Sequence, residues 1–149
     1  MKIEPTKKQF ENLLKLVYLG NWLTNAIHNG SKEDPLNEEF EDVQNYIFSL
    51  AKDFNCEKYI DENDAEDGIF FPTNKFEEEL QEYIKDYDEE CFWEELFERL
   101  SDRDFRRKYS EEEIKKMELI EFFRKEEPFR EKWDEELESY GIERLEIKD

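Results

Sequence analysis

Residues 10–27 read FENLLKLVYLGNWLTNAI, and the fold class turns on this stretch. It is the least charged part of a chain in which 44% of residues are charged. Its formal charges are Glu11 and Lys15, and none falls between Leu16 and Ile27. Apolar or aromatic residues at Phe10, Leu13, Leu14, Leu16, Val17, Tyr18, Leu19, Trp22, Leu23, Ala26 and Ile27 cover most of a helix circumference. That is the pattern of a helix enclosed by neighbours. The expected architecture is therefore mainly α: a compact bundle of five to six helices around a buried N-terminal helix, with at most a minor two-stranded element.

Working outward, Thr6 and Gln9 fit a capping box, so the helix is expected from Lys7 to His28. At 1.5 Å per residue it would be about 33 Å long. Asn29-Gly30 supplies the stop. Asp34-Pro35 is expected to open a second helix, as N-cap and first helical residue. Leu36, Phe40, Val43, Ile47, Leu50 and Phe54 then form one core seam, with Glu38, Glu39, Glu41 and Asp42 facing away. Residues 55–72 lose the helical period. Ile69 to Phe71 can form a short strand, for which the tail around Leu145 and Ile147 is a candidate partner.

Thr73 caps a third helix with Phe76, Leu80, Tyr83, Ile84 and Tyr87 on one face. Asp88 resembles a new N-cap, so a short break is expected near Asp86 to Asp88, with a continuous helix as the alternative. A fourth helix carries Phe92, Trp93, Leu96, Phe97 and Leu100 and runs through Ser101 towards Tyr109. Ser110 and Glu113 form a second capping box, opening a fifth helix with Ile114, Met117, Ile120 and Phe123. Pro128 is expected to interrupt it, with a restart carrying Phe129, Trp133, Leu137 and Tyr140. Gly141 ends that segment, and Ile142 stands where a Schellman motif places its apolar residue. The length suits a single domain over residues 1–149.

The net charge is −21. High charge and a 37% hydrophobic share can mean disorder, but thirteen Phe, seven Tyr and three Trp supply a core from few residues. The field of such a chain repels nucleic acid and anionic lipid and favours basic partners. Cys56 and Cys91 stand apart with no CxxC, so reduced thiols in a cytoplasmic protein are expected. The N-terminus has no signal-peptide pattern, because Glu4 and Glu11 interrupt it. The apolar stretch is too short and too rich in Asn for a membrane span, which needs about 20 apolar residues.

Tests for chemistry return little. His28 is the one histidine. None of Ser31, Ser49, Ser101 and Ser139 stands in a G-x-S-x-G context. A Cys–His pair would need Cys56 or Cys91 to meet His28 in space. A di-iron bundle needs two Glu-x-x-His motifs, and Asn25 stands three before His28. The acidic run from Asp61 to Asp67 fails as an EF-hand loop, because with Gly68 at position 6 it puts Ala65 at position 3 and Asn74 at position 12. Glu-x-x-Glu spacings such as Glu38–Glu41 and Glu95–Glu98 arise by chance among forty-three acids. No Gly-rich phosphate loop exists, and no cofactor is implied.

One local anomaly remains. Arg99, Arg103, Arg106 and Arg107 share a side of a helix, beside Phe105 and Tyr109, and are four of the seven arginines. They are expected either to pair with acids of neighbouring helices or to form an anion or partner-carboxylate site. Burial of the guanidinium groups would separate the two.

The strings Tyr18-Leu-Gly-Asn-Trp22, Phe92-Trp-Glu-Glu-Leu96 with Arg103-Asp104 following, and Tyr140-Gly-Ile-Glu-Arg-Leu145 resemble those of a family of small acidic prokaryotic proteins with no assigned activity. The resemblance spans most of the chain. It implies neither a substrate nor a catalytic residue.

The functional expectation is a non-enzymatic interaction protein whose acidic surface engages a basic partner, in its stronger form as a nucleic-acid mimic. The alternative is a carboxylate-based divalent-metal enzyme. Enzymatic activity stays open, with the balance against it. Four or more acids converging on an interior pocket would favour the enzyme; acids all facing outward would favour the interaction protein.

Overall fold

The computed structural model describes residues 4–61 and 68–146. The chain is mainly α, with five α-helices, two short 3₁₀ helices and one two-stranded antiparallel sheet among the described residues. It divides into two compact units, Met1–Lys85 and Asp86–Asp149.

In the first unit, α1 (Lys7–Asn25) begins as its sequence requires. The Gln9 N–H donates to Thr6 Oγ1 at 3.3 Å, and the Thr6 N–H donates to Gln9 Oε1 at 2.9 Å. The helix stops three residues before His28, because the Asp34 carboxylate holds the following loop. It accepts the Asn29 N–H at 3.0 Å and lies 2.6 Å from His28 Nδ1. Asp34 is thus engaged with the loop and caps nothing. The second helix, α2 (Glu38–Ser49), starts later than expected, with Asn37 at the N-cap. Glu38, Glu39 and Glu41 in its first turn suit the positive end of the helix dipole.

A 3₁₀ helix, Ala51–Phe54, ends at Asn55, whose φ of 54° is the left-handed conformation that Asn tolerates. A second, Glu57–Tyr59, leads into β1 (Ile60–Asp61). This strand pairs with β2 (Phe71–Pro72), Ile60 opposite Pro72 and Asp61 opposite Phe71. The partner of the Phe71 strand is therefore the segment just upstream. Leu145 is in no strand, and Ile147 lies outside the described residues. Thr73 caps the next helix, accepting the Phe76 N–H on its hydroxyl at 3.4 Å.

The core of this unit is Phe10, Leu14, Phe48, Ala51, Cys56, Ile60, Phe76 and Leu80. Phe10 stacks on Phe54 with ring centroids 4.1 Å apart, and Phe76 meets Tyr18, Phe48 and Tyr59. The N-terminal helix is not enclosed all round. Phe10 and Leu14 are buried, whereas Leu16 and Leu23 are 67% and 58% exposed, and Ile27, just beyond the helix end, is 85% exposed. The expected seam holds at its C-terminal end, where Ile47, Leu50 and Phe54 pack against the core, but the start of α2 is rotated: Phe40 and Val43 are exposed, and Phe48 is the fully buried residue.

The helix α3 (Asn74–Lys108) is continuous, with no break at Asp86 to Asp88. Phe76, Leu80 and Ile84 are its buried residues in the first unit, and Tyr83 is exposed. In the second unit it supplies Leu100, Ser101 and Phe105 to the interior. A one-turn helix, α4 (Glu111–Ile114), opens with the expected Ser110–Glu113 capping box. The chain then breaks and restarts at α5 (Leu119–Tyr140), which passes through Pro128. The expected interruption does not occur because Phe122 and Phe129 both pack their rings on Phe105, at 5.2 and 5.8 Å, on either side of the proline. Trp133, one turn on, is buried as well. Gly141 closes α5 with φ 55°, its N–H donating to the Leu137 carbonyl. A Cβ there would sit 3.4 Å from Trp93.

Candidate functional site

The four arginines singled out in the sequence all lie on α3, and none is buried: their side chains are 42–80% exposed. Their partners are not on neighbouring helices, as expected, but on α3 itself. Arg99 donates to Glu95 at 2.7 Å, Arg106 to Asp102 at 2.7 Å, and Arg103 to Asp104 at 2.9 Å, with Arg107 3.6 Å from the same carboxylate. Acids three or four residues away, or adjacent as for Arg103, are reached before those of another helix.

Asp104 is the centre of this arrangement. Besides Arg103 it accepts Lys132 Nζ at 2.9 Å and Trp133 Nε1 at 3.0 Å, both from α5. Burial alone would raise its carboxyl. The hydrogen bonds from Lys132, Arg103 and Trp133 outweigh that and hold it below the ordinary carboxylate value. A second link between the helices is bidentate, Arg130 to Glu98 at 2.6 and 2.7 Å. Arg103 and Arg107 also line a cleft of about 670 Å³ with Arg144 and Trp133. Arg99 and Arg106 do not reach it. Glu143 and Glu146 line the same cleft and offset much of its positive charge.

The first unit holds a different cleft, of about 410 Å³, bounded by α1, α2, β2 and the start of α3. On α1 it is lined by Tyr18, Asn21, Trp22 and Asn25; α2 adds Glu41 and Gln44; Phe71 and Glu77 face them, and Ala26, Leu36 and Pro72 fill in between. An amide relay fixes one wall. The Asn37 N–H donates to Asn25 Oδ1 at 2.6 Å, Asn25 Nδ2 to Asn21 Oδ1 at 2.7 Å, and Asn21 Nδ2 to Gln44 Oε1 at 3.1 Å. The Tyr18 hydroxyl donates to Glu77 Oε1 at 3.4 Å. Burial, followed by the nearby Glu77 charge, raises the Tyr18 phenol above its ordinary value.

Sequence reasoning placed Glu41 on the outer face of α2. The rotation of that helix instead turns Glu41, Gln44 and Asn45 inward with Phe48, at steps of three, one and three. The polar stripe and the Asn21–Asn25 pair in an otherwise apolar helix were the signal for this cleft. An apolar-only reading of periodicity discarded both.

Among the described residues no three His, Cys, Asp or Glu side chains come together as a metal site. The acidic run is outside this statement, because residues 62–67 lie outside the described residues. His28 pairs with Asp34, so the one histidine is engaged in the α1–α2 loop. Among the described residues no helix is long and apolar enough to cross a membrane. No family model, curated protein or solved structure matches the chain, so function has to be read from its own residues.

Proposed function

We propose that this chain is a non-enzymatic, acidic interaction protein of the cytoplasm that binds a basic surface on another protein. The observation that carries this reading is where the charge lies. With a net charge of −21, the one buried polar or charged residue among those described is Ser101. The most enclosed carboxylate in the arginine-rich region, Asp104, is spent on structural donors. Most of the remaining acids among the described residues are exposed to water, where their summed field favours association with positive partners. Two unbridged cysteines suit a reducing compartment.

The test is affinity capture from source cytosol at about 0.15 M salt, where long-range surface attraction is already screened. A basic protein retained at fixed stoichiometry, and released as salt rises, is the expected result. Displacement of that partner's DNA by this chain would mark it as a nucleic-acid mimic. Capture of a broad, salt-labile mixture, or direct binding to duplex DNA or anionic vesicles, would overturn the reading.

A further inference from the structure

Three features of the α1–α2 cleft belong together and are absorbed by nothing described so far. Its carboxylates, Glu41 and Glu77, are both half-buried. Glu77 has one long bond from the Tyr18 phenol, and the Glu41 side chain meets no donor among the described residues. Among the described residues no Lys, Arg or His lines the cleft, although the chain has twenty-two Lys and Arg. Three aromatic side chains, Tyr18, Trp22 and Phe71, flank the acids.

A half-enclosed carboxylate without a counter-charge is costly unless something cationic completes it. The chemistry of the lining selects which cation. A hard divalent ion needs six or more oxygen ligands and gains nothing from rings. A planar guanidinium can accept two carboxylates in its donor fork while its faces lie against aromatic rings. We infer that this cleft is the receptor for an arginine side chain presented by the basic partner. Glu41 and Glu77 take the guanidinium edge, Trp22 and Tyr18 take its face, and the Asn21–Asn25–Gln44 relay keeps the wall rigid. This inference rests on the acidic-interaction reading and gives it an address.

The test is a titration of the ¹⁵N-labelled full chain with Nα-acetyl-arginine amide. Parallel titrations use the lysine analogue, tetramethylammonium and magnesium. The Trp22 indole and the Asn21, Asn25 and Gln44 side-chain amides should move first with the arginine probe. Glu41→Gln, which breaks no bond within the protein, should weaken that response about fivefold or more. Glu38→Gln, on the exposed part of the same helix, should leave it unchanged. Equal effects of the two variants, or tighter binding of magnesium at these peaks, would overturn the inference. A basic partner captured as well by Glu41→Gln as by the native chain discards the cleft as its docking point and leaves the acidic-surface reading standing. Absence of any basic partner, with the arginine response intact, removes the broader reading and keeps the site.

Discussion

The two units carry almost the same excess of negative charge and live with it differently. Residues 1–85 hold nine basic and nineteen acidic side chains; residues 86–149 hold thirteen and twenty-four. The first unit buries eight residues in one apolar cluster. Its long-range ion pair among the described residues, Lys15 to Glu79, sits at the edge of that cluster. The second buries fewer side chains, Leu100, Ser101, Phe105 and Trp133, with the half-buried rings of Tyr109, Phe122 and Phe129 against Phe105. Its helices are joined by charge: Asp104 to Lys132 and Trp133, Glu98 to Arg130. The difference teaches that cationic side chains can stand in for missing apolar area, provided one carboxylate gathers several donors.

The largest expected effect comes from the two cores. Phe76→Ala and Phe105→Ala should each cost about 3–5 kcal/mol, the usual loss for a buried Phe. Hydrogen exchange should register the first as lost protection around Phe10 and Leu14, and the second around Phe122 to Trp133. Equal loss everywhere from either variant would erase the contrast.

Next is Pro128. Its missing N–H leaves the Arg124 carbonyl without its helical donor, in a helix held together by flanking rings. Pro128→Ala should therefore stabilise the protein by about 2–3 kcal/mol in urea unfolding. A loss of stability would show that the ring requires a bend there.

Asp104→Asn should cost about 1–2 kcal/mol. The sign of its pH dependence follows from its depressed carboxyl. The ion-paired form contributes fully above the ordinary carboxylate range, about pH 4, and its contribution is lost as pH falls through the lower folded value. The variant should flatten the acid limb of a stability–pH curve for the second unit and leave that of the first unchanged.

Ser101 presents the opposite case, a buried hydroxyl with no hydrogen-bond partner among the described residues. Ser101→Ala should gain about 1 kcal/mol by thermal melting. The smallest effect is ionic. Raising salt from a few millimolar to about 0.15 M should stabilise the first unit by less than about 1 kcal/mol through relief of self-repulsion. The second unit should gain less, because screening also weakens its pairs; a larger gain there would reverse the comparison.

How far the sequence could be read follows the same division. Elements fixed by local chemistry were legible: the capping boxes at Thr6–Gln9 and Ser110–Glu113, and the stop at Gly141. Elements decided by a competing partner were not. Asp34 has the sequence of a cap, yet His28 and the Asn29 N–H claim its carboxylate. Pro128 has the sequence of a break, yet the packing of Phe122 and Phe129 on Phe105 carries the helix through. The rotation of α2 was hidden for a related reason. Phe40 and Val43 extend the Ile47 stripe more cleanly on paper than Glu41 and Gln44 extend Phe48, and only the amides of Asn21 and Asn25 on the facing helix reveal which side is inward. The arginine cluster was visible as a cluster. Its intrahelical pairing was in reach, because Glu95–Arg99 and Asp102–Arg106 stand four apart within the expected fourth helix; attention to acids of neighbouring helices passed over them.

Cys56 is fully enclosed in the first core, and burial raises its thiol above the usual value, whereas Cys91 in the second unit is only partly covered. One sulfur therefore sits inside each half of the chain at a different depth. A maleimide added to the native protein would consume Cys91 promptly and reach Cys56 only when the N-terminal half opens. The slow second modification is a clock for that opening, built into the chain without any label.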